Sequence, residues 1–281
     1  MTTAMQASPI PLDIKKVVTF IYYPTNLSNA VPDGTGFLVG LNSAKDTNRI
    51  FPYLVTAKHV LRPSINAWLP LIFLRLNCLD GTSDMVLVPL LTSGPIKNVF
   101  IHDDPTVDIA VVPVAPNRKI HDFLLLPTEF ITSEADFKNL EIHEGSDVFF
   151  TGMFVQHLGE KRNTPITRFG KVALMTDEKI DGVFGKTDLY LMEANAYGGN
   201  SGSPVFFQIG MEREGGFVFG GPRFKLAGVM SGSYPDIEFI KTLSVSTNQY
   251  VTPNLGISGV VPAYKLKEIL FSKELQSFRG E

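Results

Sequence analysis

The chain contains one cysteine, Cys78, in 281 residues, which rules out an intrachain disulfide. Many secreted proteins of this size carry several, so a reducing compartment or a bacterial setting is expected, with the cytoplasm as the expected location. Cys78 continues the apolar alternation of Leu74 and Leu76 and is expected to be buried as a small hydrophobe. Charge of one sign is not in excess: 25 Lys and Arg stand against 28 Asp and Glu, a formal net charge of −3. There is no basic stripe to follow a nucleic-acid backbone, so no nucleic-acid partner is expected. Long apolar runs are missing as well. The longest, around residues 67–74, contains Pro70 and falls far short of the roughly 18 residues a membrane span needs. The opening MTTAMQASPIPLDIKK lacks a basic stretch followed by an apolar core, so no signal peptide is expected. The triplet Asn26-Leu27-Ser28 fits a glycosylation sequon, but so short a pattern arises by chance. The histidines at 59, 102, 121, 143 and 157 show no His-x-x-x-His spacing, and a metal site is not expected. Nor is a cofactor: Gly34-Thr35-Gly36 lacks the third glycine and the βαβ setting of a dinucleotide site.

What is present is an ordinary globular composition, 44% hydrophobic and 19% charged. Short apolar segments rich in β-branched and aromatic residues run at Val17–Tyr23, Gly36–Leu41, Tyr53–Thr56, Ile72–Leu76, Met85–Pro89 and Ile109–Val114. Gly, Pro, Asn and Asp punctuate the gaps, the pattern of an all-β fold. Residues 116–140 are poorer in β-branched residues and hold Pro116, Asn117 and Pro127, which suits a connector. Strands resume at Asp147–Phe154, Arg168–Met175, Leu189–Glu193, Pro204–Phe207, Lys225–Ser231 and Gly259–Pro262. Leu266, Ile269, Leu270 and Phe278 then recur at helical spacing among Lys and Glu, which predicts one amphipathic helix over 263–281. The expected organisation is a β unit over 1–115, a connector, a second β unit over 141–262 and a closing helix.

Three segments carry chemistry. Tyr53-Leu-Val-Thr-Ala-Lys-His59 runs a strand into a histidine. Pro105-Thr-Val-Asp108-Ile-Ala-Val sets a carboxylate at the mouth of an apolar strand. Tyr197-Gly-Gly-Asn-Ser201-Gly-Ser-Pro holds a serine in a glycine-rich turn just before a strand. A serine hydroxyl is a weak nucleophile until a base accepts its proton, and histidine titrates nearest neutral pH. A buried carboxylate on the other ring nitrogen would orient the imidazole and stabilise its charged form. Glycines at 198, 199 and 202 would let backbone N–H groups point outward to hold an oxyanion. Each segment alone has a structural explanation; together, in the order His, Asp, Ser, they point to acyl transfer. Asp103 and Asp104 are rival acids, but they precede a proline in a polar turn. Ser203 is a rival nucleophile, but it follows the glycine turn and suits the start of a strand.

These segments resemble those of trypsin-like, chymotrypsin-fold serine proteases, nearest to the bacterial and HtrA-type branch. The matching residues are Gly34-Thr-Gly-Phe-Leu-Val39, Val55-Thr-Ala-Lys-His59-Val, Val107-Asp-Ile-Ala-Val111, Gly199-Asn-Ser-Gly-Ser-Pro204 and Leu226-Ala-Gly-Val-Met-Ser-Gly232. The resemblance implies two six-stranded antiparallel β-barrels with a C-terminal helix. It implies a serine endopeptidase acting on protein or peptide substrates, with His59, Asp108 and Ser201 as the triad and the amides of Gly199 and Ser201 as the oxyanion hole. It implies a substrate pocket formed by Asn195 with Ser231, Gly232 and Ser233, without a floor carboxylate, and hence an uncharged residue before the scissile bond. Asp236 and Glu238, in a loop that does not align, are the acids that would account for a basic preference instead. Asn200 stands where digestive members place an aspartate to receive a freed N-terminus, so activation by that cleavage is not expected. A PDZ domain appended after residue 262 is not expected. The competing expectation is a β-barrel that binds peptides or proteins without turnover, or one switched on by a regulatory protein partner.

Overall fold

The computed structural model describes residues 10–25, 29–64, 67–91, 98–210, 224–235 and 254–281, with short strands at 212–213, 216–217, 238–240 and 249–251. The triplet at 26–28 and Asp236 lie outside the described residues, as does the side chain of Glu238.

A 3₁₀ turn at Leu12–Val17 leads into β1 (Val18–Pro24), and β2 (Ala30–Asn42), β3 (Ile50–Thr56), β4 (Leu71–Asn77) and β5 (Ser83–Pro89) follow. The one-turn helix α1 (Lys58–Leu61) lies between β3 and β4, and β6 (Phe100–Ile101), β7 (Ala110–Pro113) and β8 (Leu126–Pro127) complete the first unit. Its order is β5-β4-β1-β2-β3-β7-β6, with β8 pairing parallel to β2 at Val39 and Gly40. The first unit therefore has eight strands where six were expected: the connector folds back and contributes β8, and the two-residue β6 adds a strand beside β7.

The connector also forms α2 (Glu134–Asn139), started by a capping box between Ser133 and Asp136. The second unit contains β9 (Asp147–Gly152), β10 (Ile166–Leu174), the hairpin β11 (Ile180–Gly182) and β12 (Gly185–Thr187), β13 (Tyr190–Glu193) and β14 (Pro204–Gln208). The short strands β15 (Glu212–Arg213), β16 (Gly216–Phe217), β18 (Glu238–Ile240) and β19 (Gln249–Val251) flank β17 (Phe224–Pro235), and β20 (Asn254–Pro262) closes the unit. Strands β10-β13-β20-β17-β14-β9 form a closed six-stranded barrel.

Near-continuous apolar runs arise because the central strands are covered on both faces. Side chains alternate across a strand. In β1, β2 and β3, Ile21, Leu38 and Leu54 point into the core of the first unit, while Phe20, Phe37, Val39 and Val55 join a cluster shared with the second. In β9 and β14, Phe149 and Phe206 face that shared cluster and stack with centroids 5.1 Å apart, while Val148, Phe150, Val205 and Phe207 fill the barrel. Each large side chain buried in this way contributes about 1.5–3 kcal/mol, so the joint between the units is itself a hydrophobic core. Cys78 is buried and free.

The C-terminal segment is two helices, not one: α3 (Ala263–Leu270) and α4 (Lys273–Arg279). The break falls at Phe271–Ser272, where the Ser272 hydroxyl caps the new helix by accepting from the Leu275 amide at 3.3 Å. Phe278 leaves the expected stripe and packs edge-on against Phe100 at 5.2 Å. The end of α4 latches onto the first unit. Arg279, 8% exposed, donates to the Leu270 carbonyl at 3.0 Å and to Glu281 at 2.8 Å, with the Tyr53 hydroxyl 3.5 Å away. Glu281 accepts from the Ser43 hydroxyl at 2.8 Å and the Ala44 amide at 2.7 Å. The hydrogen bonds from Arg279 and Ser43 lower its carboxyl pKa to about 2.

Removing Arg279 leaves buried acceptors without a donor, so Arg279→Met should lose about 1–3 kcal/mol in urea unfolding. Glu281 has a depressed folded pKa, so its stabilisation is present above the ordinary value of 4.5 and is lost as pH falls towards about 2. The stability gap between wild type and Glu281→Gln should be full at pH 6 and should close across that window; a gap that widens in acid would contradict the latch.

Candidate active site

Strand β3 ends at Thr56 and Ala57, and α1 begins at once with Lys58 and His59. Both residues hold the loop that delivers Asp108. The Lys58 ammonium, almost wholly buried, donates to the Pro105 carbonyl at 2.5 Å and lies 4.1 Å from the Phe184 ring centre. Burial pulls its pKa down. The His59 amide donates to Asp108 Oδ1 at 3.0 Å, and its ring Nδ1 meets Oδ2 at 2.7 Å. A carboxylate can only accept there, so the proton is on Nδ1 and Nε2 is left as the basic nitrogen.

Asp108 is 1% exposed and has a third donor. The Ser231 hydroxyl reaches Oδ2 at 2.6 Å, from β17 of the barrel. Burial pushes the His59 pKa down, but the hydrogen bond and charge of Asp108, with the charge of Asp33, outweigh it, and the net shift is upward. Asp33 is an unpaired bulge residue: Ile21 pairs with Gly34 and Tyr22 with Pro32, so no partner stands opposite it. Bulges next to active sites re-aim side chains. Burial raises the Asp33 pKa, opposed by the nearby His59.

Ser201 lies in the turn between Gly199 and Gly202, both at positive φ, +89° and +84°. A Cβ at Gly202 would sit 2.1 Å from the Thr35 carbonyl oxygen and 2.2 Å from the Thr56 hydroxyl, so the turn packs directly against β2 and against the end of β3, which leads into His59. Asn200 is 2% exposed; its amide donates to the Met153 carbonyl at 2.6 Å and its oxygen accepts from the Tyr197 amide at 2.9 Å. The Gly199 and Ser201 amides make no hydrogen bond among the described residues. The Ser201 hydroxyl donates to the Ser231 carbonyl at 3.3 Å, and His59 Nε2 makes no hydrogen bond among the described residues.

Thr35 ties the turn to the first unit. Its hydroxyl donates to the Gly199 carbonyl at 2.7 Å and accepts from the Met153 amide at 2.9 Å, while its amide donates to the Ser201 carbonyl at 2.9 Å. Neither this role nor the Asp108 contact of Ser231 could be read from the sequence, where both residues sit in ordinary strand patterns. Asp33 carries no motif.

The rival residues lie elsewhere. Asp104 caps the Thr106 amide and hydroxyl and pairs with Lys179 at 3.2 Å; those hydrogen bonds hold its carboxyl well below the usual range. Ser203 is fully buried with an unpartnered hydroxyl. The four expected pocket residues are not brought together. Ser231, Gly232 and Ser233 line a cleft of about 200 Å³ with Val183, Leu189, Tyr234 and Gly259. Asn195 lines a separate open cleft of about 580 Å³ with Phe169, Glu193, Leu255 and Gly256. Among the described residues no cluster of three metal-binding side chains occurs, and no helix is long and apolar enough to cross a membrane.

The serine turn and the buried carboxylate that holds His59 meet at Ser231, whose carbonyl accepts from Ser201 and whose hydroxyl donates to Asp108, at the joint of the two β units. The sequence model of the trypsin-like peptidase domain matches residues 34–210, and the chain belongs to that family. No curated protein sequence matches it. The solved MamO protease domain from Magnetospirillum magneticum, in its apo form, aligns at 17% identity and a TM-score of 0.52, over 92% of this chain and 98% of that one. Rv3671c from M. tuberculosis H37Rv, in an inactive form, aligns at 14% identity over 94% of each chain. Its TM-score of 0.43 is too low to carry an argument. The MamO likeness concerns the fold, a chymotrypsin-like pair of β units with C-terminal helices.

Thr35→Val keeps the shape but strands the Gly199 carbonyl and the Met153 amide. Each buried group left unpaired costs about 1–3 kcal/mol, spent here on the geometry of the serine turn. The variant should fold, with thermal melting lowered by several degrees, and should react at least about tenfold more slowly with a fluorophosphonate serine probe. Unchanged labelling would remove Thr35 from any positioning role.

Proposed function

We propose that the chain is a serine endopeptidase using Ser201, His59 and Asp108, with Gly199 and Ser201 supplying the oxyanion-binding amides. The observation that carries this reading is the buried Asp108 carboxylate on His59 Nδ1, which leaves Nε2 as a free base beside a serine turn with two unengaged N–H groups. On this reading the Ser201 hydroxyl leaves the Ser231 carbonyl for that nitrogen when substrate binds. Catalytic hydrogen bonds are often unformed until substrate binds.

In the reaction, Ser201 Oγ attacks the scissile carbonyl carbon and its proton passes to His59 Nε2. The carbonyl oxygen takes the negative charge and accepts from the two amides. His59 then returns the proton to the departing amine as the C–N bond breaks. Water repeats the sequence on the acyl-enzyme and releases the acid. Asp108 keeps the imidazole in the Nδ1–H form throughout, and Ser231 holds Asp108.

The residue before the scissile bond would be uncharged. The cleft beside Ser231–Ser233 offers Leu189, Val183, Tyr234 and two glycines, and the one acid at its edge, Asp181, is 80% exposed at its side chain and pairs with Lys186. Burying a cation there without a counter-charge should disfavour Arg and Lys by at least about tenfold in kcat/KM. Asn200 spends both ends of its amide on backbone partners, so full-length chain should need no N-terminal trimming. The Ser201–Ser231 hydrogen bond favours a second reading, a resting protease turned on when a protein partner or substrate reorients the serine.

A fluorophosphonate probe and matched peptides test both readings. Labelling of the wild type and its loss in Ser201→Ala support the triad, with Ser203→Ala behaving as wild type and melting no lower, since its hydroxyl has no partner to lose. Labelling that appears only with an added partner supports the second reading. The acid limb of the kcat/KM profile should fall above the ordinary imidazole value. Asp33→Asn removes a charge that raises the His59 pKa, so its acid limb should move to lower pH; a move the other way would exclude that coupling.

A further inference from the structure

Two acids act on His59, and the reaction needs one. Asp108 is buried and met by three donors. Asp33 is half-buried on β2, and its carboxylate has no hydrogen bond or ion pair among the described residues. Asp104, Asp122, Asp136 and Asp147 each pair with a lysine of the chain; Asp33 does not. Burial raises its pKa, and the only charge opposing that among the described residues is the one on His59. Its place follows from the bulge: Ile21 pairs with Gly34 and Tyr22 with Pro32, so Asp33 drops out of the ladder.

The chain beside Asp33 is pressed into the site. A Cβ on Gly34 would fall 2.7 Å from the Val60 side chain and 3.3 Å from the Ser201 carbonyl oxygen. The Thr35 amide donates to that same oxygen at 2.9 Å. Asp33 is thus one residue from the contact between the serine turn and α1, on the first β unit, whereas the cleft at Ser231–Ser233 belongs to the second. The two halves of a substrate divide accordingly. The acyl half stays on Ser201, and the departing amine takes its proton from His59. The departing half therefore lies against His59 and its neighbours in the first unit, Asp33 among them.

We propose that Asp33 is a specificity residue for a basic side chain, Lys or Arg, within the first two residues after the scissile bond; its assignment to that side of the bond rests on the peptidase reading. A carboxylate partly withdrawn from water without a donor has lost hydration and gained no bond in return. An ammonium or guanidinium from the substrate supplies the missing donor in its stronger, charge-assisted form. A neutral side chain there would leave the carboxylate as it is, and an acidic one would meet a like charge. With the uncharged preference before the bond, the favoured substrate carries an apolar residue followed by a basic one.

The test uses the full-length chain and internally quenched peptides carrying Lys, norleucine or Glu, in turn, at the first and at the second position after the bond. It is run in low salt at about pH 8, above the range in which imidazole ordinarily titrates. At one of the two positions, kcat/KM for Lys should exceed that for norleucine by at least about fivefold and that for Glu by at least about tenfold. High salt should shrink the advantage. Asp33→Asn should melt no lower, since its carboxylate has no partner to lose, and should bring Lys and norleucine within about twofold of each other. Asp33→Lys should reverse the order and favour Glu. Cleavage without a Lys advantage, or an advantage that survives in Asp33→Asn, would overturn the assignment and leave the triad standing. If the wild type neither cuts any peptide nor reacts with the fluorophosphonate probe, the peptidase reading falls instead. Fluorescence anisotropy of the same peptides on Ser201→Ala then decides whether Asp33 holds a cation: tighter binding of Lys than of norleucine supports it, and equal binding overturns it.

Discussion

Asp108 is a carboxylate with almost no access to water, and so it must be satisfied by protein donors. An ion in such a place costs several kcal/mol unless it is paired and fully hydrogen-bonded. Here three donors serve it: the His59 amide, the His59 ring and the Ser231 hydroxyl. Two come from the first β unit and one from the second. The unit boundary therefore cannot loosen without leaving a buried charge short of a donor. The arrangement that orients the His59 ring also fixes the joint between the two units.

The rest of the joint follows from that constraint. With Asp108 pinned between β7 and β17, the serine turn must approach β2 and β3 closely, and only Gly202 fits where a Cβ would strike the Thr35 carbonyl. Thr35 then satisfies the backbone groups that the close approach would otherwise strand. Further out, the Arg75 guanidinium donates to the carbonyls of Gly159 and Glu160, and Asn77 exchanges hydrogen bonds with Asn163. Apolar burial holds the units together, and these polar contacts set their register.

The strands were legible because β-branched and aromatic runs with Gly and Pro at their ends have one economical solution. The three chemistry-bearing segments were legible because a histidine after a strand, a carboxylate before one and a serine between glycines rarely coincide. What escaped was set by distance along the chain. Thr35 and Ser231 act on residues more than a hundred positions away, and a hydroxyl in a strand carries no local sign of its partner. Asn195 was placed in the pocket by counting back from Ser201, but the segment after β13 carries it to a different cleft from Ser231, Gly232 and Ser233. The hairpin of β11 and β12 was missed because Ile180-Asp-Gly182 and Gly185-Lys-Thr187 are too short and polar to show a period. The closing helix split at Phe271–Ser272 because a serine cap restarts a helix with little change in the apolar spacing. Asp33 was invisible because a bulge is a property of the pairing.

The span of these contacts also dictates an order of assembly. The hydrogen bonds that complete the site join residues separated by 49, 123 and 164 positions. Contacts of such range form late, since the intervening chain must be ordered first. A nascent chain emerging at about 5–20 residues per second would present His59 and Asp108 well before Ser201 exists, and Ser201 before Ser231 arrives to secure Asp108. Every partial chain would lack one member or its support. The topology thus delays the arrangement until both β units are made, and neighbouring nascent proteins meet only the finished fold.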